Sequence, residues 1–504
     1  MQKVGVINCD KDIFFCNFVS KNNQNMLFSS PIFLYLFLPI VLLLVYLSPK
    51  KVRNYTLLVS SLFFYAWGGI SFLILLVASV LINYTSGLLV YYSKTAVRKK
   101  VFLLIGVVLN LILLVYFKYA NFIVENINIL SPNALEVSKI TLPIGISFFT
   151  FQAMSYLIDV YRDETHIQKN FAKLMLYISL FPQLIAGPIV RYKDVAAQIE
   201  NRRIGIDKFS SGIRRFMLGL MRKVLIANPM AYIADQAFNT APDSLSMSLA
   251  WLGIIAYSIQ IYYDFAGYSD MAIGLGRMFG FEFLENFNFP YIAKSIKDFW
   301  HRWHISLSTW FKDYLYIPLG GNRLGGVRTY VNLGIVFFLT GLWHGAAWNF
   351  VVWGMIHGFF LIIERRFLGK LLLKLPNIIQ HFYTLFVVVF AWIFFRANDF
   401  QHAISYIQVM FGANDTGFLM IKVLEFFDYQ TIAIFLIALF GATPFLERVV
   451  RKWNTYHTHT NGWMALLSLN AYQIAVILFV AFGLFYSTIQ LITNSYNPFI
   501  YFRF

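Results

Sequence analysis

Charge is scarce in this chain. Of its 504 residues only 13% are Asp, Glu, Lys or Arg, where a water-soluble domain carries about 25%. So few charges cannot coat a water-facing surface, which excludes an ordinary soluble fold. Cysteine is almost missing as well: Cys9 and Cys16 are the whole complement, and both stand near the start, which argues against a disulfide framework and a thiolate metal site. Acidic residues are the scarcer sign, 24 against 41 Lys and Arg for a formal net charge of +17. In a soluble protein that excess would suggest a nucleic-acid partner. In a membrane chain the basic residues gather in cytoplasmic loops and set orientation, so no nucleic acid is expected. Internal repeats and low-complexity linkers are absent. The first 25 residues lack the apolar run and small-residue cleavage site of a signal peptide.

What fills the chain is apolar: 59% hydrophobic residues and a mean hydropathy of +0.62, with 53 Phe, 30 Tyr and 11 Trp. Lipid must do the covering, and Tyr and Trp suit the boundary between water and bilayer. A spanning helix needs about 20 mostly apolar residues. Candidate spans run near Pro31–Ser48, Tyr55–Trp67, Phe72–Tyr92, Val101–Phe117, Leu142–Val160, Phe216–Ala237 and Leu249–Gly267, then near Val327–Leu342, Val351–Ile363, Phe382–Phe395, Thr431–Pro444 and Leu469–Ile492. Several are short or broken by Gly and Pro, so about eleven transmembrane helices are expected. Residues 1–25 read as an N-terminal extension, with Met26 as the alternative start, and 26–504 as a single transmembrane domain.

Lys50, Lys51 and Arg53 follow the first span, and Lys94, Arg98, Lys99 and Lys100 follow the third. Both clusters belong inside, which puts the N-terminus outside. Later basic groups stay consistent with this if Leu174–Val190, interrupted by Pro182, Gly187 and Pro188, dips in and returns. The stretch Asp264–Arg323 mixes charges with many aromatics. It reads as short, partly re-entrant helices lining a cytoplasm-facing cavity. Arg202 to Lys223 form a basic patch that suits either topology and lipid head groups or the phosphates of a nucleotide-bearing donor.

Histidine carries the candidate chemistry. An ionisable group at membrane depth is costly and therefore suggests function. His344 lies in Thr340-Gly-Leu-Trp-His-Gly-Ala-Ala-Trp-Asn349, where Gly341 and Gly345 allow close backbone approach and Trp343 and Trp348 can wall off water. A shielded neutral imidazole can accept a hydroxyl proton; a structural histidine bonded between helices fits the same context. His301 and His304 would share one face if their segment is helical. Their spacing differs from the i, i+4 pair of a zinc protease, and no Glu lies between them, so no metal site is expected. His301 and His357 read as packing residues or as partners of a backbone carbonyl. Asp264 and Asp270 could form a carboxylate pair.

Several motifs then resemble one family. Pro182-Gln-Leu-Ile-Ala-Gly-Pro188, Asp264-Phe-Ala-Gly-Tyr-Ser-Asp-Met-Ala-Ile-Gly274 and Asn286-Phe-Asn-Phe-Pro-Tyr291 come first. Asp298-Phe-Trp-His-Arg-Trp-His-Ile-Ser-Leu-Ser308, Asp313-Tyr-Leu-Tyr-Ile-Pro-Leu-Gly-Gly-Asn322 and Thr340-Gly-Leu-Trp-His-Gly345 follow in order. They resemble signatures of the bacterial branch of membrane-bound O-acyltransferases, and the likeness runs from Met26 on. Met26-Leu-Phe-Ser-Ser-Pro and the ending Phe499-Ile-Tyr-Phe-Arg-Phe504 are similar to the polysaccharide O-acetyltransferases of that branch.

The resemblance implies an all-helical ring of tilted helices around a central tunnel, in the bacterial cytoplasmic (inner) membrane. It implies His344 as the catalytic histidine and His304 as the second essential one, orienting the donor or holding an oxyanion through an N–H. The implied donor is acetyl-CoA, as a co-substrate from the cytoplasm, with no tightly bound cofactor. The acceptor is an extracytoplasmic glycan such as alginate, reached through a periplasmic or extracellular SGNH-hydrolase-like partner, since no Gly-x-Ser-x-Gly elbow stands in this chain. D-alanyl transfer to teichoic acid and a non-catalytic transport subunit are the alternatives. His301 departs from the family pattern, which has Arg or Lys there; an anion held at that place would need His301 protonated.

Overall fold

The computed structural model describes residues 26–131, 140–185, 187–413, 425–459, 463–493 and 496–500. The proposed extension at residues 1–25, with Cys9 and Cys16, and the closing Tyr501–Phe504 lie outside them. Every regular element among the described residues is a helix, and each candidate span falls on one. Four are long and apolar enough to cross a membrane: Ile70–Tyr92, Ala96–Leu130, Asn377–Arg396 and Ala471–Thr493. Tyr429–Gly441 and Phe445–Trp453, bent by 64°, pass together as a fifth. Helix length alone therefore does not fix the expected total of eleven, because several apolar helices, such as Phe33–Leu47, are short.

Membrane helices gain little from apolar contact with each other and rely on close packing and polar pairs. Both devices appear. Asn83 and Asn110, on neighbouring helices, exchange amide hydrogen bonds of 2.9 and 3.0 Å in a buried pair. At the centre, the helix Met247–Met278 is buried along nearly its whole length and packs on Ile206–Met221 and Asn228–Asn239. A Cβ at Gly219 would stand 2.4 Å from the Gly267 carbonyl oxygen, so only glycine permits that crossing.

This central helix corrects the sequence reading, which ended a span near Gly267 and began a polar stretch at Asp264. The helix continues to Met278 because its carboxylates are matched internally. Asp264 pairs with Lys223 at 3.0 Å, both almost fully buried. Asp270 pairs with Arg215 at 2.6 Å and with Arg222. The two aspartates thus serve separate cations and form no carboxylate pair. The basic patch is largely consumed in the same way, since Lys208 meets Glu282 at 3.1 Å and Arg215 also meets Glu285 at 2.5 Å.

The dip expected at Leu174–Val190 is a helix, Phe171–Ser179, that ends at Leu180 and is followed by the four-residue helix Phe181–Leu184. Its backbone is buried in protein from Leu174 to Ile185, the condition under which irregular structure survives at membrane depth.

Candidate active site

His344 is the last residue of the helix Gly326–His344, which doubles back through Gly345–Ala347 into Trp348–Ile363. The two helices touch backbone to backbone. A Cβ at Gly341 would lie 2.4 Å from the Phe350 carbonyl oxygen, and one at Gly354 would lie 2.3 Å from that of Phe337. This approach drives the imidazole into an aromatic wall. The Trp343, Trp353 and Phe395 rings stand 5.0, 4.9 and 5.2 Å from it by centroid, and His344 is only 4% exposed.

His304 does not share a helical face with His301. The helix Ile296–Arg302 stops, Trp303 is extended, and His304 takes a left-handed backbone (φ 42°, ψ 55°) before Ile305–Phe311 begins. The cause is a neighbouring segment that captures the backbone. The Asn286 carbonyl accepts from the Ile305 amide at 2.9 Å, and the Asn288 amide donates to the Arg302 carbonyl at 2.9 Å. The break turns the two histidines apart. His301 is exposed and its Nδ1 meets the Lys297 carbonyl at 2.7 Å. His304 is fully buried, edge-on to Phe265 at 4.8 Å. The helix Ile296–Arg302 is itself held by Glu364, whose buried carboxylate accepts from the Ile296 and Lys297 amides at 2.6 and 3.0 Å.

The Asn286 side chain also fixes the His304 tautomer. The Ser306 backbone N–H, which can only donate, lies 3.1 Å from Asn286 Oδ1, so that atom must be the amide oxygen. The Ser306 hydroxyl donates to the same oxygen at 2.9 Å, and His304 Nδ1 faces it at 3.2 Å. Asn286 Nδ2 donates to the Ser269 hydroxyl at 3.0 Å, and the Ile189 amide donates to Ser306 Oγ at 3.0 Å. A neutral His304 therefore carries its proton on Nδ1 and presents Nε2 as a lone pair. That atom is buried without a hydrogen-bond partner. An N–H donated from Nε2 to an oxyanion would require the imidazolium, so the neutral ring here is an acceptor.

The fold brings His304 and His344 together, with ring centroids 6.5 Å apart and planes at 62°. His357 is left out of this pair, stacked on Phe299 and met edge-on by Trp300, Trp353 and Trp392. No three His, Cys, Asp or Glu side chains converge as a metal site among the described residues.

Two recesses border His344. The larger, about 140 Å³, is lined by Lys118, Pro143, Ser147, Ile185 and Trp343 besides His344. The smaller, about 10 Å³, lies among Phe265, Trp303, Phe395 and Ile500, at the limit of what one water needs. The expected tunnel is thus a chamber on one side of the imidazole and a narrow gap on another. Ile500 reaches that gap because its amide donates to Asp264 at 3.1 Å and Phe499 packs on Tyr268, with ring centroids at 4.4 Å. Lys118 had no place in the sequence reading. Its only signal was a lone lysine directly after the apolar run Val101–Phe117.

A buried histidine pair, one member of which lines a chamber, lies among apolar helices long enough to cross a membrane, as in a multi-pass membrane protein. The model of the membrane-bound O-acyltransferase family matches residues 59–405. The chain belongs to that family and is an O-acyltransferase. It is 43% identical over 494 residues to a probable alginate O-acetylase, AlgI, of Pseudomonas putida, covering 95% of this chain and all of that one. It is 37% identical to the peptidoglycan O-acetyltransferase of Helicobacter pylori, covering 77% of this chain and 80% of that one. It is 29% identical to the teichoic acid D-alanyltransferase of Bacillus subtilis, over 51% of this chain and 70% of that one.

Proposed function

We propose that this chain takes acetyl groups from cytoplasmic acetyl-CoA and delivers them for O-acetylation of an extracytoplasmic polysaccharide, with His344 and His304 as the catalytic residues. The observation that carries the reading is the buried pair of imidazoles, 6.5 Å apart, beside a chamber of about 140 Å³. The relatives named for alginate and peptidoglycan acetylation, similar along most of this chain, support an acetyl group and a glycan.

In the proposed reaction the acceptor hydroxyl oxygen attacks the thioester carbonyl carbon while a His344 ring nitrogen takes the hydroxyl proton. The carbon–sulfur bond then breaks, the acyl–oxygen bond is complete, and the proton leaves with the CoA thiol. His304, with its proton held on Nδ1 by Asn286, offers Nε2 as an acceptor that orients a hydroxyl or thiol proton. The aromatic wall around His344 keeps water, the competing nucleophile, away from the thioester. The 10 Å³ gap must widen for a thioester to approach from that side. In this step the acceptor hydroxyl belongs to a serine of a secreted SGNH-hydrolase-like partner; a polymer hydroxyl then attacks that serine ester, taking the acetyl group and returning the serine hydroxyl.

The test is compositional. Cell-surface polysaccharide from a strain lacking this chain should lose ester-linked acetate, and regain it with the wild-type chain but not with His344→Ala at equal membrane abundance. Acetate unchanged in the deletion, or loss of ester-linked D-alanine in its place, would contradict the proposal.

A further inference from the structure

The helix that ends in His344 leaves four last carbonyls that no residue within it can satisfy. Each of them has a partner. The Gly341 carbonyl accepts from the Gly345 amide at 3.3 Å, and the Leu342 carbonyl accepts from the Tyr119 hydroxyl at 2.8 Å. The Trp343 carbonyl accepts from the Lys118 ammonium, and the His344 carbonyl accepts from that same ammonium at 3.4 Å. The third Lys118 N–H donates to the Ser147 hydroxyl at 3.2 Å. One ammonium thus joins three elements: the span Ala96–Leu130, the first turn of Ile146–Tyr161 and the last turn of Gly326–His344.

A neutral donor would have satisfied a carbonyl at lower cost. A charge shut partly away from water is expensive unless it is paired, and is kept where it has work to do. Lys118 lies 18 residues past Lys100, about 27 Å along a helix, so it sits far from the basic loop that orients this span. Its charge complements the negative end of the helix dipole, and it forms part of the wall of the larger recess together with His344.

We infer that Lys118 is a positioning residue for acyl transfer: its ammonium gathers the two terminal carbonyls of the His344 helix and so aims the imidazole into the chamber. The inference rests on His344 being the reacting base. A group that positions the base without binding donor acts on turnover and leaves donor affinity alone. Misplacing a reacting group by about 1 Å costs on the order of 10² in rate.

The experiment measures CoA release from acetyl-CoA by the full chain in proteoliposomes with its acceptor system, for wild type, Lys118→Met and His344→Ala. Lys118→Met should lower kcat on the order of 10²-fold, leave the KM for acetyl-CoA within about threefold, and keep the wild-type unfolding temperature within a few degrees. A kcat within about threefold of wild type, a loss confined to KM, or a loss that tracks unfolding would overturn the inference. If Lys118→Met is not recovered folded, Lys118→Gln is judged by the same three criteria. Turnover retained by His344→Ala would instead defeat the proposed function. A dead His344→Ala beside an active Lys118→Met would defeat this inference alone.

Discussion

His304 and His344 face each other with ring centroids 6.5 Å apart, too far for a direct hydrogen bond because each ring reaches only about 1 Å toward the other. The separation suits a reacting atom held about 3 Å from both. The pair is assembled by two unrelated devices. One is the helical hairpin closed on glycine at position 341; the other is a backbone break at His304 enforced by Asn286.

Asn286 is expected to control His304. Asn286→Ala removes the acceptor of three bonds, frees the Nδ1 proton and lets the ring exchange tautomers. Acyl transfer should fall on the order of 10² to 10⁴-fold, while Asn286→Asp, which keeps an acceptor oxygen, retains more activity than the alanine variant. Steady-state rates on reconstituted protein decide this; wild-type rates for Asn286→Ala would rule out the tautomer argument.

Gly341→Ala should spread the hairpin. The new methyl would need to clear a carbonyl oxygen 2.4 Å away, and two backbones cannot both yield without moving His344. A loss on the order of 10 to 10²-fold in turnover is expected, with the protein still inserted in the membrane. Rates measured beside membrane abundance separate this from simple loss of protein.

Much of this was legible in the sequence, and the reasons differ by residue. His344 stood out because a histidine between glycines and tryptophans is rare inside apolar helices. The span positions followed from hydropathy. The break between His301 and His304 was illegible, because it depends on backbone bonds from residues 286 and 288, distant in sequence. The continuation of the central helix past Asp264 was hidden for a similar reason: Lys223, Arg215 and Arg222, which neutralise its carboxylates, come from other turns of the chain. Lys118 gave one weak signal, and its meaning depends on carbonyls more than 220 residues away.

Stability should show the polar device between helices. Asn83→Leu or Asn110→Leu alone leaves a buried amide with only its bond to the Gly106 or Ser79 carbonyl of its own helix, and losing the cross-helix partner costs about 1–3 kcal/mol. The double leucine variant should be less destabilised than the sum of the two, since no amide is then left without its partner. Thermal unfolding in detergent measures this; strictly additive losses would mean the pair does not act as a unit.

The most direct measurement is CoA released from acetyl-CoA by the reconstituted chain with its acceptor system, compared between wild type and His344→Ala under single-turnover conditions. The account predicts release by the wild type and a loss on the order of 10² to 10⁴-fold in the variant, with both proteins folded and inserted. Equal release from the two would show that the imidazole at the chamber wall takes no part in acyl transfer.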